Sequence, residues 1–265
     1  MDFAADSGPE RAAQTLAIIP ARLGATRLPR KPLRLLAQRP LVARVWERVE
    51  SMGIATRCVI ATDSTEIADA LAEFGAEVAM TSAHHPSGTD RVAEVASRSE
   101  FAGFQVIVNV QGDEPFVSRE AVAGAASLVS SGRFPLGTVA ALAAREVLAN
   151  PNVVKVVAAD DGRAMYFSRA AIPFLREAQE RNVLSGMVRQ HIGVYAYTRE
   201  ALMQWVALPP HPLEQVERLE QLRPLAAGIA MGVVTISEAP RPGIDTEEDL
   251  VRANAEWNAF TVGTA

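Results

Sequence analysis

Short apolar runs alternate with longer amphipathic stretches through the first half of the chain, the pattern of βαβ units that build a mostly parallel sheet. Residues 16–20 read as the first strand. The spacing over 41–52 predicts a helix with Val42, Val45, Trp46 and Val49 on one face and Gly53 as its stop. Residues 59–61 read as a second strand. Asp63 or Ser64 caps a second helix through Ile67, Leu71 and Phe74, which Gly75 closes before a short strand over 77–80. The rhythm continues with a helix over 89–99, Val92 and Val95 inward, and a strand over 106–110. That last run is continuously apolar, so it is expected at the centre of the sheet with both faces covered.

From about Leu136 the character changes. Runs over 153–158, 164–167 and 194–197, separated by turns such as Asp160-Asp161-Gly162, predict antiparallel additions. Residues 172–190, with Pro173, Glu177, Glu180 and Arg181, show little periodicity and read as a surface excursion beside a substrate. A start resembling a capping box over 246–249 opens a last helix that carries Leu250, Ala253 and Trp257. No internal repeat or low-complexity tract interrupts the pattern. The expected class is α/β: a mixed, mainly parallel sheet flanked by helices, with antiparallel additions in the second half.

Composition narrows the function. A chain of 265 residues is near the upper limit for one core, so a single domain over 15–262 is expected. Its longest apolar stretch, 225–236, is too short to span a bilayer, and no membrane segment is expected. The first residues carry Asp2, Asp6, Glu10 and Arg11 without the apolar run of a secretory signal, so 1–14 read as a disordered leader. The single cysteine, Cys58, sits among apolar neighbours and reads as a buried structural thiol. One cysteine permits no disulfide within the chain, which points to the cytoplasm. A formal net charge of −5 argues against nucleic-acid binding, since that function draws on a basic field. An anionic small substrate would instead need a local cluster of cations.

Such a cluster follows the first strand. Residues 20–32 hold Arg22, Arg27, Arg30 and Lys31 at the carboxyl end of a sheet strand, where open α/β sheets bind ligands. Gly24, with the small Ala25 and Thr26, lets backbone N–H groups approach an anion, and the guanidinium and ammonium groups can pair with phosphate oxygens. The loop matches neither a P-loop nor a dinucleotide fingerprint. A solvated basic face is the competing reading. After the central strand, Gln111-Gly112-Asp113-Glu114-Pro115 projects Asp113 toward the same crevice, where a carboxylate can hold Mg²⁺; an ordinary turn is the alternative. Asp245, just before the last helix, reads either as a second ligand or as a helix cap, and spacing alone leaves both open.

These landmarks together resemble the 3-deoxy-manno-octulosonate (Kdo) cytidylyltransferase family. The resemblance runs nearly end to end: Ile18-Ile19-Pro20-Ala21-Arg22, Thr26-Arg27-Leu28-Pro29, Lys31-Pro32-Leu33, Ala61-Thr62-Asp63, Ser87-Gly88-Thr89-Asp90-Arg91, 108–115, Val154-Lys155-Val156-Val157, Tyr166-Phe167-Ser168-Arg169, His191-Ile192-Gly193, Leu219-Glu220-Gln221-Leu222-Arg223 and Asp245-Thr246. The opening loop is shared with related sugar nucleotidyltransferases. The 111–115 and 219–223 stretches point to this family.

The resemblance implies a nucleotide-diphospho-sugar transferase fold, CTP over the first loop, Kdo in a pocket of the second half, a homodimer, and a link to lipopolysaccharide biosynthesis. The first half, 15–135, would bind nucleotide, and 136–262 would bind sugar and form the dimer. Arg22, Lys31 and Asp113 are implied to be catalytic, with Asp113 and Asp245 on Mg²⁺. Nucleotide contacts fall to Ala21, Arg22, Leu23, Gly24, Ala25, Lys31, Ser87, Gly88, Thr89 and Arg91. Sugar contacts fall to Gln111, Arg169, His191, Tyr195, Glu220 and Gln221. On an extended strand His191 and Tyr195, four apart, share a face, which taken alone fits a packed core pair equally well. Two departures stand out: Ala25 replaces the family's usual Ser and Arg30 its usual Gly, from which altered CTP affinity is expected. A related acid sugar, such as 8-amino-Kdo or a sialic-acid-like substrate, and a catalytically silent sugar-nucleotide-binding protein are the alternatives.

Overall fold

The computed structural model describes residues 14–24, 27–174, 176 and 187–262. In chain order its elements are β1 (Thr15–Ala21), the small hairpin β2 (Leu35–Leu36) and β3 (Arg39–Pro40), α1 (Leu41–Ser51), β4 (Arg57–Thr62), α2 (Thr65–Ala72), β5 (Glu77–Met80), α3 (Gly88–Ser97), β6 (Val106–Asn109) and α4 (Arg119–Ser130). They continue with β7 (Leu136–Leu142), β8 (Lys155–Ala158), β9 (Ala164–Ser168), β10 (Arg189–Thr198), α5 (Arg199–Ala207), α6 (Pro212–Glu217), α7 (Leu222–Ala226), β11 (Met231–Ile236) and α8 (Glu247–Val262).

The main sheet runs β11-β7-β10-β6-β1-β4-β5. Along this path the neighbours are parallel except where β10 lies antiparallel between β6 and β7. β8 branches from β10 through the Gln190 and Lys155 pairing and carries β9. The antiparallel additions expected after Leu136 are therefore β8, β9 and β10. β7 and β11 lie in the same region but pair in parallel, extending the first-half sheet.

The strand over 106–110 is central as expected, with Val106, Ile107 and Val108 buried between β1 and β10. Ser64, rather than Asp63, caps α2 by accepting the Ile67 N–H at 3.3 Å. α4, which the periodicity did not resolve, starts at the Ser118 cap and buries Ala121, Val122, Ala125 and Ala126. Cys58 is buried, and desolvation pushes its thiol well up, as a structural cysteine requires. Residues 1–13, Ala25, Thr26 and most of the 172–190 excursion lie outside the described residues.

One apolar layer on the sheet includes Val42, Val45 and Val49 of α1, Ile67 of α2 and Ala121 of α4; another includes Val92 and Val95 of α3 with Leu202 and Trp205 of α5. A third, smaller cluster joins Leu28, Leu36 and Leu41 to Phe116, Ile244, Leu250 and Trp257. It carries the last helix back to the first loop. Asn254 of α8 reinforces that return by accepting the Ala37 N–H at 2.8 Å and donating to the Leu35 carbonyl at 3.1 Å. Among the described residues no helix is long and apolar enough to cross a membrane.

Candidate active site

The site forms where the ends of β1 and β6 meet the start of α8. A Cβ at Gly112 would lie 2.8 Å from the Pro20 carbonyl oxygen, so only glycine lets the two strand ends approach this closely. On the far side, a Cβ at Gly243 would come within 2.6 Å of Glu114 Oε1, and the Ile244 N–H donates to the Asp113 carbonyl at 2.9 Å. These close approaches bring two distant carboxylates together. Lys31 Nζ donates to Asp113 Oδ2 at 2.5 Å and to Asp245 Oδ1 at 2.9 Å, and an Arg27 guanidinium nitrogen lies 3.0 Å from Asp245 Oδ2.

Sharing one ammonium keeps those two carboxylate oxygens within about 5.4 Å of each other, the most those two distances allow. The capping bonds of α8 are made by other residues, which argues against the cap reading of Asp245. The cap of α8 is formed by Thr246 Oγ1, which accepts the Asp249 N–H, while the Asp249 carboxylate accepts the N–H groups of Asp245 and Thr246. Asp245 is left to face the cations.

Burial acts to lower the Lys31 ammonium, but Asp113 and Asp245 outweigh it and raise it above the ordinary lysine value. Next to them, desolvation together with the charges of Asp113 and Asp245 pushes the Glu114 carboxyl up to about 8. Two carboxylates offer hard oxygen donors, and Mg²⁺ commonly takes one or two of these and completes its shell with water and substrate phosphate. No cluster of three or more His, Cys, Asp or Glu forms a metal cage among the described residues. The donor set fits magnesium brought in with a phosphate ligand.

Two cavities flank the pair. The first, about 430 Å³, is lined by Ala21, Arg22, Gly24 and Lys31 from the first loop, Ser87, Gly88 and Arg91 from α3 and its cap, and Asp113. The amino end of α3 faces it, a position favourable to anions. Arg91 is buried and anchored by Thr81 Oγ1 and, at 3.3 Å, by Asp63. Arg22 is exposed and forms no ion pair among the described residues, so its guanidinium is available to a ligand. Leu23 packs on the core beneath, and Ala25 lies outside the described residues. Arg30 adopts a left-handed backbone (φ 57) and pairs with Glu66, away from this cavity.

The second cavity, about 730 Å³, is lined by Thr89, Gln111, His191, Tyr195, Glu220 and Gln221, among others. Gly193 lies between His191 and Tyr195, and a Cβ there would meet Gln111 Cγ at 3.9 Å. The His191 and Tyr195 rings are 5.5 Å apart on the shared face. Thr138 Oγ1 lies 2.9 Å from His191 Nε2 and donates its proton to the Val194 carbonyl at 2.8 Å. Nε2 must therefore carry the imidazole proton, and Nδ1 keeps a lone pair for a ligand hydroxyl. Burial drives this histidine down to about 3, so it is neutral near neutral pH. Glu220 accepts from Thr89 Oγ1 at 3.0 Å, and desolvation raises its carboxyl against that bond. A polar chain from Gln111 through Asn109 to the Tyr197 hydroxyl supports the cavity floor.

Arg169 lines neither cavity. Its guanidinium donates to the carbonyls of Glu217 and Pro151, and its own carbonyl accepts from the fully buried Lys155. Lys155 also donates to the carbonyls of Asn150 and Val153, holding the 150–153 wall of the second cavity. Sequence patterning had named Arg27 only as one cation of the first loop, and had not singled out Lys155 or Thr138 as site residues. The first two lie inside quoted motifs, whereas nothing around Thr138 marked it. Arg27, Gly88, Gln111, Glu220 and Asp245 line both cavities and define their junction.

Comparison with known proteins places this arrangement among the nucleotidyltransferases: a family profile described as Cytidylyltransferase matches residues 16–234. The structure of 4-diphosphocytidyl-2C-methyl-D-erythritol synthase from Anaerococcus prevotii, 16% identical, superposes with a TM-score of 0.61 over 93% of this chain and 99% of that one, a likeness of fold alone. A solved CMP:2-keto-3-deoxy-manno-octonic acid synthetase complexed with CTP is 33% identical, with a TM-score of 0.85 over 93% of this chain and 99% of that one. The 3-deoxy-manno-octulosonate cytidylyltransferase of Gemmatimonas aurantiaca is 63% identical over 92% of this chain and 95% of its own length. The first such enzyme of Actinobacillus pleuropneumoniae serotype 5b is 45% identical over 89% and 96%. The chain belongs to the 3-deoxy-manno-octulosonate cytidylyltransferase family.

Proposed function

We propose that this chain transfers CMP from CTP to Kdo, giving CMP-Kdo and pyrophosphate, in the cytoplasm and as a homodimer whose product feeds lipopolysaccharide assembly. The observation that carries this reading is the junction of the two cavities at Asp245, which shares the Lys31 ammonium with Asp113 of the first cavity. A triphosphate in the first cavity and an acid sugar in the second would meet there. The chain then acts as one nucleotidyltransferase domain over 15–262, with nucleotide held mainly by 15–135 and sugar mainly by 136–262.

The reaction is an in-line displacement: the anomeric 2-hydroxyl of Kdo gives up its proton to solvent as its oxygen bonds to the α-phosphorus and the bond to the pyrophosphate oxygen breaks. Positioning and charge neutralisation supply the catalysis. Arg22 and Lys31 neutralise the departing pyrophosphate. The α3 amino end, with Ser87 and Gly88, steadies the nucleotide. Gln111, Tyr195 and Gln221 orient the sugar, and His191 Nδ1 accepts from one of its hydroxyls. Asp113 and Asp245 would hold Mg²⁺, which when bound supplies charge neutralisation at the α-phosphate and lowers the pKa of the attacking hydroxyl.

Incubating the protein with CTP, Mg²⁺ and Kdo tests the reading. Pyrophosphate release is expected that stops when sugar, nucleotide or metal is left out. Release with 8-amino-Kdo or a sialic acid and none with Kdo would reassign the acceptor, and no release with any acid sugar would overturn the assignment.

A further inference from the structure

The groups that would hold a divalent ion are already neutralised by the chain's own cations. Asp113 and Asp245 share the Lys31 ammonium, and Asp245 also holds Arg27. Two carboxylates therefore face two cations, and the cluster is balanced before any ligand arrives. The Lys31 side chain is only 16% exposed, so its ammonium cannot simply be left to water while it stays in place. A divalent ion entering this cluster would lie beside that ammonium and repel it at close range, where partial burial limits screening. A triphosphate changes the balance. It offers Lys31 and Arg27 new anionic partners in the adjoining cavity, which both residues line, and so frees the carboxylate oxygens.

We infer that Lys31 and Arg27 act as place-holders at the metal site, so that the divalent ion binds with or after the nucleotide and not to the free protein. Lys31 thus has two positions, on the aspartates before nucleotide arrives and on phosphate afterwards. Arg27 is a positioning residue that holds Asp245 in the first of these states. The inference rests on the cytidylyltransferase reading for the identity of the anion, but its test does not require turnover.

Mn²⁺ binding, followed by electron paramagnetic resonance on the nucleotide-free protein, separates the possibilities. Wild type is expected to bind Mn²⁺ at least tenfold more weakly than Lys31→Met, which removes the ammonium while keeping much of its volume. Lys31→Arg, which keeps the charge, should stay near wild type. Adding Asp245→Asn to Lys31→Met should abolish the gain, assigning the new site to this cluster. Arg27 is exposed, so Arg27→Gln provides a second variant with little demand on folding and should strengthen Mn²⁺ binding several-fold. Equal Mn²⁺ affinity in wild type, Lys31→Met and Arg27→Gln would overturn the place-holder role. Pyrophosphate release by wild type reports separately on the activity, so failure of one conclusion is distinguishable from failure of the other.

Discussion

At Asp113 a single atom separates two states of the cluster. Asp113→Asn keeps the shape and one hydrogen bond to Lys31 but removes the charge that would hold the metal. Turnover is expected to fall by about three powers of ten, about 4 kcal/mol of barrier, with little change in melting temperature; near-normal turnover in a steady-state assay would remove the metal role from this residue. His191 gives a prediction in pH. Unfolded, it takes up a proton below about 6.5, whereas in the fold burial resists protonation until about 3. The unfolded state therefore binds more protons between those values, and stability falls as pH drops through that window. At pH 5 the loss is up to about 2 kcal/mol, measurable by urea unfolding at pH 5 and 7, and His191→Gln should flatten the difference. The sequence displayed Asp113 openly, at a Gly-Asp turn after an apolar strand. Asp245 remained ambiguous because an acid before a helix reads equally as a cap, and only the Asp249 cap and the Lys31 contact argue against that reading.

Elements that bury a broad apolar stripe or a continuous run were legible from periodicity, among them β1, α1, β4 and β6. α4 was not, because its buried face is largely alanine and valine and lies so close to the sheet that glycines make the contact. A Cβ at Gly137 of β7 would lie 2.7 Å from the Ala125 carbonyl oxygen and 3.1 Å from Leu128 Cβ, both on α4. Since backbone cannot rotate away as a side chain can, Gly137→Ala should cost about 1–3 kcal/mol, read as a lower urea midpoint at unchanged slope. The β2 and β3 hairpin was hidden for another reason. Its turn residues Ala37 and Gln38 both have positive φ without being Gly or Asn, so no turn signature announces them. Arg44 of α1, donating to the Leu36 and Ala37 carbonyls, and Asn254 of α8, 217 residues beyond Ala37, hold the turn instead.

On the scale of the whole molecule, the sequence pattern showed an α/β chain but not where β10 would lie, because strand order depends on crossovers that periodicity does not encode. The same long-range closure makes ligand binding a global event: the proposed nucleotide and metal ligands come from the β1 loop, the α3 cap, the β6 end and the approach to α8. CTP with Mg²⁺ at about a hundred times its dissociation constant should stabilise the fold by about 2.7 kcal/mol, raising the melting temperature by roughly 5–10 °C. Mg²⁺ alone should leave it unchanged. A comparable rise from Mg²⁺ without nucleotide, seen by differential scanning fluorimetry, would contradict the charge balance found around Asp113 and Asp245.

The antiparallel β10 also bears on how the chain comes to be folded. While the protein is being made, β6 and β7 emerge from the ribosome well before the segment that must lie between them, so each waits with an open edge. Pairing these two directly would close the sheet one strand short and exclude the segment bearing His191 and Tyr195. Messages truncated before residue 198 should therefore yield aggregating fragments rather than a nucleotide-binding half, and the interval between synthesis of β7 and of β10 is when a nascent chain most needs a chaperone.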